Sequence, residues 1–326
     1  MSHGFSRLAI VLVTACILVR HGTTLGDPIP SLMNAVVRGD VQAVRDLVVE
    51  EGEQGIKGTT GRRALLHAAA LGDLRMLQTL LEFGADPNAR AKDKMARTAL
   101  ILAAASGRIE VVKVLMNKGA KLEARDSSGK TALNWAAMQK RSQVVEMLLD
   151  KGAEINSRDH GGVSPLLFAV GRRDMATMHL LVDRGADLEV ESKQNKMTPL
   201  LLAIEAGQLD TVIYLLDKGA QVNAKNDDGL TPLMSASKKG DMELVALLLE
   251  RGAEVNTTQK SGWSPLLYSV AGAHDDIMRL LLDNGADIGA RNKRGVSALM
   301  LAAQRGVPEQ VKACLLYTSD AADERG

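Results

Sequence analysis

Apolar residues recur along most of the chain at intervals of three and four, the spacing that aligns side chains on one face of a helix. Ile109, Val112, Leu115 and Met116 form one such stripe. Each stripe follows a shorter, alanine-rich segment that ends near a glycine, as at Gly107. The pattern predicts pairs of short helices separated by polar turns. Helices of about two to three turns are marginal alone, so each must pack against neighbours.

The pattern of paired helices repeats along the chain. TPLLLAIEAGQLDTVIYLLDKGAQ begins at Thr198, and TPLMSASKKGDMELVALLLERGAE begins 33 residues later at Thr231. A threonine or serine, here termed the cap residue, opens each copy at spacings of 33 or 34 residues: Thr98, Thr131, Ser164, Thr198, Thr231, Ser264 and Ser297. Related stretches begin at Arg63, 35 residues before Thr98, and at Pro30, a further 33 before that. Internal repetition is therefore the dominant signal.

Each copy contains the chemistry of two helix starts and two helix ends. A threonine or serine hydroxyl caps a helix start, and proline suits the first helical position, as at Pro165, Pro199, Pro232 and Pro265. Glycine takes the left-handed conformation that ends a helix. Because every unit leaves apolar surface on both sides, only stacking can bury it. We therefore predict an all-α fold, an α-solenoid of stacked helix-turn-helix repeats with short hairpin-like turns.

This repeat resembles the ankyrin repeat, in which a turn precedes two antiparallel helices. The best match to the family motif is GLTPLMSASKKGDMELVALLLERGAEVN. The resemblance covers roughly residues 30–313 and implies eight full units and a truncated ninth. Residues 27–62 form a degenerate first unit, interpreted as an N-terminal cap, and residues 63–313 form the main array.

Three features depart from the ankyrin pattern. The family often places histidine after T-P-L, where this chain has mostly Leu, Met or Ile and, in one copy, Asn134. Packing is expected to replace the imidazole hydrogen bonds. Lys140 and Arg173 stand where the helix-ending glycine is expected, so those two corners should differ locally. No closing cap follows Ala313, and we expect the natural protein to continue.

The two ends of the chain do not follow the repeat. Leu8–Val19 is an apolar run after Arg7, too short to span a bilayer, and residues 1–26 are interpreted as a cleaved secretory signal. The alternatives are a membrane-surface segment, a fortuitously apolar start or a bacterial lipoprotein signal in which Cys16 ends the motif VTAC. Residues 314–326, CLLYTSDAADERG, resemble a translated sequencing adapter and are treated as an artefact. The segment between these ends contains no cysteine, so it has no disulfide framework and no cysteine metal site.

The composition and the motifs argue against several functions. Forty basic and 39 acidic residues give a net charge of +1, which argues against broad binding to nucleic acid or anionic membrane. No two histidines have metal-ligand or acid-base spacing on one helix, and the glycines belong to turns. Asp227 and Asp228 lie in a turn, where aspartate is favoured by backbone hydrogen bonding. We expect neither catalysis nor a cofactor nor a metal, and no stable membrane span.

The ankyrin resemblance implies that turn tips and first helices form a concave binding face. Trp263 directly precedes Ser264 at a place that normally faces outward, and tryptophan is enriched in binding hot spots. The alternative is that it covers the neighbouring turn. The full set of residues predicted to bind a partner is Trp263, Lys260, Asp227, Asp228, Leu230, His160, Asp126, Lys130, Arg172, Arg173, Lys238 and Lys239.

Basic residues recur near the end of each first helix, at Arg108, Lys140, Arg141, Arg172, Arg173, Lys238, Lys239 and Arg305. They predict a broken basic stripe suited to an acidic segment of a partner. The alternative is solvation with favourable charge at helix C-termini. Trp135, Phe168 and Tyr268 share the place of His67, and inter-repeat packing is favoured for them over a ligand cage.

Asn256-Thr257-Thr258 is an acceptor sequence for N-glycosylation. Asn256 also occupies the usual turn asparagine of the ankyrin repeat, and this structural role is favoured. Glycosylation matters only if the chain enters a eukaryotic secretory pathway.

These observations predict a monomeric, non-enzymatic scaffold that binds a protein partner of unknown identity. Two alternatives remain. The array could be the targeting part of a larger enzyme or channel that continues past Ala313, or the chain could be a secreted effector. A genuine signal would place the protein in the secretory pathway or outside the cell, and otherwise it would be cytoplasmic.

Overall fold

The computed structural model describes residues 31–51 and 54–323. Across these residues the chain forms helices joined by turns, and the only β-structure consists of two isolated bridges, Arg90 to Thr98 and Arg291 to Ser297. The predicted all-α repeat fold is confirmed. The predicted signal segment, residues 1–26, lies outside the described residues.

The helices alternate between a first and a second helix of each repeat. The first helices are α1 (Ser31–Arg38), α4 (Thr59–Leu71), α6 (Ala99–Ser106), α8 (Ala132–Met138), α10 (Pro165–Gly171), α12 (Pro199–Glu205), α14 (Pro232–Lys239), α16 (Pro265–Gly272) and α18 (Ala298–Arg305). The second helices are α2 (Val41–Glu51), α5 (Leu74–Glu82), α7 (Ile109–Asn117), α9 (Ser142–Asp150), α11 (Met175–Asp183), α13 (Leu209–Asp217), α15 (Met242–Glu250), α17 (Asp275–Asp283) and α19 (Pro308–Asp323). A single turn, α3 (Gln54–Lys57), precedes α4.

The predicted capping chemistry is present in all seven repeats that have a cap residue. Each hydroxyl accepts a hydrogen bond from the backbone N–H three residues further on; Thr231 Oγ1, for example, accepts from Met234 N at 3.3 Å. Helix α4 is different, because it begins at Thr59, four residues before the predicted start at Arg63. Its N-cap is Gly58, which has no side chain to accept the bond.

The prediction that Lys140 and Arg173 change the repeat corner is wrong for the backbone. Their φ angles are 58° and 54°, close to the 62° of Gly207 at the same place in another repeat. Ala273 also stands there, with φ of 59°. These residues with a Cβ therefore adopt the left-handed conformation that suits glycine, at a conformational cost. The repeat geometry overrides the local preference.

The prediction that packing replaces the family's histidine holds at most of the apolar residues, but not at Met300, which is 49% exposed, nor at Asn134. This side chain is fully buried, and its Oδ1 accepts from the backbone N–H of Thr131 at 3.0 Å. Its Nδ2 donates to the carbonyl of Ser157 at 3.0 Å. Asn134 therefore supplies a polar link between a helix start and the following turn, because its amide offers both a donor and an acceptor.

The chain divides into two compact units. The first contains residues 1–160 and 176–185, and the second contains residues 161–175 and 186–326. Within the first unit, α4, α6 and α8 pack side by side, as do α5, α7 and α9. Within the second unit, α10, α12, α14, α16 and α18 pack in the same way. The leucine two residues after the cap residue is buried between these helices in six repeats: Leu100 and Leu133 in the first unit, and Leu166, Leu200, Leu233 and Leu266 in the second. Leu299, which follows Ser297, is half-exposed.

The irregular repeat spacings arise in the turns that precede the first helices, here termed tips. In the common tip a backbone bond joins residues four apart, as from Asp126 N to Lys130 O. In two tips the same bond spans one or two more residues, from Ser192 N to Met197 O and from Ala91 N to Arg97 O. Spacings of 34 and 35 residues in the sequence therefore reflect longer tips, whereas the second helices of these two repeats keep the usual nine residues.

The last helix differs from the other second helices, which contain 9 or 11 residues, because α19 runs for 16 residues. It continues through the segment interpreted as an adapter sequence. Cys314 is fully buried, whereas Leu315 and Leu316 are more than half exposed. The origin of this segment stays a prediction. No helix in the part of the chain that the structure describes is long and apolar enough to cross a membrane.

Candidate protein-binding surface

Aspartate or asparagine five residues before the cap residue shapes several of the tips. Asp126 Oδ1 accepts hydrogen bonds from the backbone N–H groups of Ser128 and Lys130 at 2.8 and 3.0 Å. Asn226 and Asn292 make the equivalent pairs of bonds in their own tips. Such side-chain bonds to the backbone fix a turn. The recurrence of these residues at one register position was a sequence signal for this role.

Asp126 has a structural role rather than the exposed position predicted for a partner contact. Only 4% of it is exposed, and it also accepts a hydrogen bond from Trp135 Nε1 at 2.8 Å. Burial alone would raise the pKa of Asp126, but hydrogen bonds from Ser128, Trp135 and Lys130 outweigh it and the pKa is lowered. The carboxylate is therefore held in its charged form by donors of its own repeat.

Lys130, another predicted contact residue, is also engaged internally. Its Nζ lies 2.9 Å from Asp159 Oδ2, and both side chains are largely buried. Removing one partner from such a pair would leave a buried charge without compensation. In the tip between Asp126 and Thr131, the charged groups thus stabilise the turn. Two predicted or neighbouring tip residues are exposed instead, Ser127 on this tip and His160 on the next one.

Backbone hydrogen bonds join one tip to the next. His160 N donates to Ser128 O at 3.0 Å in the first unit. In the second unit, Lys260 N donates to Asp228 O at 2.8 Å, and Lys293 N donates to Ser261 O at 3.0 Å. These bonds hold successive tips in register, so the side chains of Lys260 and Asp228 project from fixed positions. Both are exposed.

A row of half-exposed apolar side chains runs along the second unit. It consists of residues immediately before or four residues after the cap residues Ser164, Thr198, Thr231 and Ser264, namely Val163, Phe168, Met197, Leu202, Leu230, Trp263 and Tyr268. We term these seven residues the apolar row. They come from rigid helices and hydrogen-bonded tips, which reduces the entropy lost when a partner orders them.

The sequence places Trp263 at a position that normally faces outward, but in the structure this side chain is half-buried. Its ring centroid lies 5.0 Å from that of Tyr268, with an angle of 33° between the planes. Lys238 Nζ lies 5.8 Å from the Tyr268 centroid. Burial raises the pKa of Tyr268, the hydrogen bond with Gln259 lowers it, and the nearby charge of Asp228 raises it, with a net increase. Trp263 therefore covers its own neighbour while part of its surface remains accessible.

An open groove lies beside the longer tip of the second unit. Its volume is ≈ 410 Å³, and Val163, Leu167, Met197 and Leu202 supply its apolar lining. Gln194 and Asn195 contribute polar groups at the tip side. The extra tip residue seen in the 34-residue spacing therefore contributes one wall of an apolar depression. The 34-residue spacing is the sequence signal for the extra tip residue, but it does not by itself predict a groove.

Part of the predicted basic stripe binds helix carbonyls. Arg173 donates to Ala206 O, and Arg305 donates to Ala271 O. Lys239 Nζ donates to Glu205 O at 2.5 Å and lies 3.8 Å from the Glu205 carboxylate. Cations are favoured at the C-terminal ends of helices, which supports the alternative interpretation for these three residues. Arg172 and Lys238 are exposed and contribute to the surface charge.

In the first unit, too, some basic residues bind helix carbonyls or pack against a neighbouring repeat. Arg141 Nε donates to Ala105 O at 3.4 Å, whereas Lys140 is exposed. Arg97 lies over the Trp135 ring at 5.6 Å. Contact of Trp135 with the preceding repeat agrees with the packing role favoured for that aromatic place. The same holds for Tyr268 and Lys238 in the second unit.

Asn256 performs the structural role favoured from the sequence. Its Nδ2 donates to Gly285 O at 2.9 Å, and its Oδ1 accepts from Asp287 N at 2.9 Å. Asn88 and Asn223 make the same pair of bonds to the repeats that follow them. A glycan on Asn256 would crowd this link, and glycosylation stays an untested prediction.

The clusters of side chains in the described part of the chain include no group of three or more histidine, cysteine, aspartate or glutamate residues suited to a metal ion. His67 is 6% exposed, and burial lowers its pKa although the charge of Asp73 opposes the shift. It packs at the aromatic place of its repeat.

Stacked helix pairs with hydrogen-bonded tips are the architecture of a helical repeat protein. The family model for ankyrin repeats matches four overlapping segments, 32–126, 89–159, 158–226 and 218–292. These segments cover most of the 326-residue chain, and the chain belongs to the ankyrin-repeat family. No curated protein matches the chain. Ankyrin repeats are generally protein-protein interaction modules and are typically non-catalytic.

Proposed function

We propose that this protein is a non-enzymatic scaffold that holds an acidic, partly apolar segment of a protein partner against the first helices and tips of the second unit. The observation that carries the proposal is the apolar row, which is half-exposed and supported by rigid backbone. Partially accessible aromatic residues such as Trp263 and Tyr268 provide large contact area at low conformational cost.

The distribution of charge in the second unit supports an acidic partner. Exposed cations lie on the tips and first-helix ends, at Arg172, Lys193, Lys238, Lys260, Lys293 and Arg294. Lys196 and Lys239 are also exposed but lie beside Glu191 and Glu205. The second helices have mainly carboxylates instead, at Asp210, Asp217, Glu243, Glu250, Asp275, Asp276 and Asp283. Although the net charge of the chain is only +1, its basic and acidic residues are therefore concentrated on different elements of the second unit. Complementary charge increases association rate and selects against basic partners.

Asp227 and Asp228 interrupt the basic surface of the second unit. Asp228 is exposed, and its carbonyl is occupied by Lys260 N. A bound segment is expected to place an apolar or basic residue opposite these carboxylates and its own acidic residues opposite Lys238 and Lys260. This alternation gives the partner a preferred register.

Affinity capture followed by measurement on the purified binder tests the proposal. The wild-type chain is compared with Trp263→Ala and with Met242→Ala, a matched control because Met242 is 42% exposed on α15. A genuine partner should lose about 30-fold in affinity for Trp263→Ala and keep its affinity for Met242→Ala. Raising ionic strength should weaken it further. Equal binding by the wild type and Trp263→Ala would contradict the proposed surface.

A further inference from the structure

A second candidate site lies wholly within the first unit. A cavity of ≈ 170 Å³ opens between helix α4 and the tip that precedes Thr98. Leu66 and Ala91 supply apolar lining, and Arg62, Arg63 and Lys92 supply three cations. Asp93 is the only carboxylate among its lining residues. Nothing in the proposed function uses this cavity.

The charges around the cavity are not balanced by neighbours. Arg62 Nη2 donates to Thr59 Oγ1 at 3.1 Å, a neutral partner. Within the described residues, Arg63 and Lys92 have no ion pair. Arg62 and Arg63 are half-buried. A guanidinium that is partly removed from water favours an anion that can accept two parallel hydrogen bonds.

Asp93 does not neutralise these cations. Its Oδ1 accepts from Met95 N and Ala96 N at 2.9 and 2.8 Å, which fixes the carboxylate within its own tip. Arg97 Nη2 lies 4.0 Å from its other oxygen. Asp93 is therefore engaged by its own turn and by a cation outside the cavity lining, and the cavity keeps an excess of positive charge.

The apolar lining narrows the chemistry of the anion. Leu66 is 4% exposed and Ala91 is half-buried, so an inorganic anion would leave this surface without a partner. The volume is several times the roughly 30 Å³ occupied by one water molecule in the liquid, and it suits one aliphatic side chain. An aspartate or glutamate side chain has a carboxylate but little apolar surface beside it. A C-terminal aliphatic residue has both on one α-carbon.

We propose that this cavity captures the C-terminal residue of a partner polypeptide, with the α-carboxylate against Arg62 and Arg63 and an aliphatic side chain against Leu66 and Ala91. Lys92, which is exposed, adds charge at the entrance. Capture of terminal carboxylates is a recurring mode of peptide recognition. The proposal rests on the proposed function only in that the ligand belongs to a protein, and it concerns a different unit.

Methyl NMR on the full chain tests this directly, with N-acetyl-L-leucine as the probe and the Leu66 methyl groups as the reporter. We expect a saturable shift of the Leu66 signals. N-acetyl-L-leucinamide, which lacks the carboxylate, and acetate, which lacks the side chain, should each bind about tenfold more weakly. Inorganic phosphate should not compete at equal concentration. No partner is needed, so the result is independent of the Trp263 experiment.

Variants distinguish specific recognition of the carboxylate in the cavity from general attraction by nearby positive charge. Arg63→Gln should weaken N-acetyl-L-leucine about tenfold, Lys92→Gln should weaken it less, and Arg75→Gln should leave it unchanged because exposed Arg75 does not line the cavity. The methyl spectrum of each variant shows whether it is folded. If Arg63→Gln does not fold, the binding measurement on Lys92→Gln still tests the proposal. The absence of a saturable shift, equal binding of the amide, or effective competition by phosphate would each overturn the proposal.

Discussion

The tip that begins at Asp126 and the tip that ends at Trp263 have the same backbone hydrogen bonds, but their side chains have different roles. In the first, Asp126 is buried under four hydrogen-bond donors and Lys130 is paired with Asp159. In the second, Gln259 and Gly262 close the turn through the backbone, and Trp263 lies half-exposed beside Tyr268. The same register positions therefore stabilise one tip and are left partly exposed in the other, where they form part of the proposed contact surface.

This difference shows that position in the repeat does not by itself identify a binding residue. A side chain on a tip contributes to binding only if the tip does not need it. Exposed Lys260 satisfies that condition, whereas Lys130 does not. The chemistry within each turn decides between the two roles.

The largest effect is expected at Asp126. Asp126→Ala removes the acceptor for Ser128, Lys130 and Trp135, and the free energy of unfolding should fall by about 3 kcal/mol because buried donors lose their partner. Asp126→Asn should cost less, because Asn226 makes the same turn bonds. Urea denaturation followed by circular dichroism measures both. Equal losses for the two variants would show that the turn bonds are unimportant.

The second prediction concerns binding. Trp263→Ala should lower partner affinity by about 30-fold but change the thermal midpoint little, because Trp263 is half-buried at a tip. Isothermal titration and thermal denaturation on the same samples separate the two effects. A large loss of stability with unchanged affinity would assign Trp263 to the structural group with Asp126.

A smaller effect, of opposite sign, is expected at the repeat corners. Lys140→Gly should raise the free energy of unfolding by about 0.5–1 kcal/mol, because Lys140 has φ of 58° and glycine adopts this conformation without a Cβ penalty. Arg173→Gly should gain less, since it also loses the hydrogen bond to Ala206 O. Chemical denaturation checks the order of the two variants. Destabilisation by Lys140→Gly would contradict this account.

The smallest predicted effect is a pH dependence at His67. Its pKa is lowered in the folded state, so the unfolded chain binds a proton first as pH falls below the ordinary histidine value of 6.5. Stability should therefore decrease as pH falls from that value through the folded-state pKa. His67→Leu, which copies Leu102 and Leu202 at the same place, should remove this part of the pH dependence. A profile unchanged by the substitution would refute the assignment.

The repeat architecture could be predicted because its signals are local and recur. Threonine or serine caps, proline at the first helical position and apolar residues at helical spacing each specify a feature within a few residues. Placement of individual site residues could not be predicted equally well. The pairing of Lys130 with Asp159 joins two repeats, and the sequence alone does not show which side chains meet.

Two further errors have physical causes. Lys140 and Arg173 were expected to alter their corners, but stacked neighbours impose the left-handed backbone on them. The repeat spacing does not predict the cavity beside α4, because α4 begins at Thr59, before the start that the spacing indicates, and this extra turn brings Arg62 to the cavity. In both cases packing outweighed local sequence preference.

Hydrogen-deuterium exchange on the purified protein, alone and with a captured partner, tests the central claim most directly. If the apolar row is the contact surface, slower exchange should be concentrated in peptides covering residues 161–171, 195–205, 226–239 and 259–272, with little change in α15. Protection confined to α13, α15 and α17, the acidic second helices, would contradict the proposed surface.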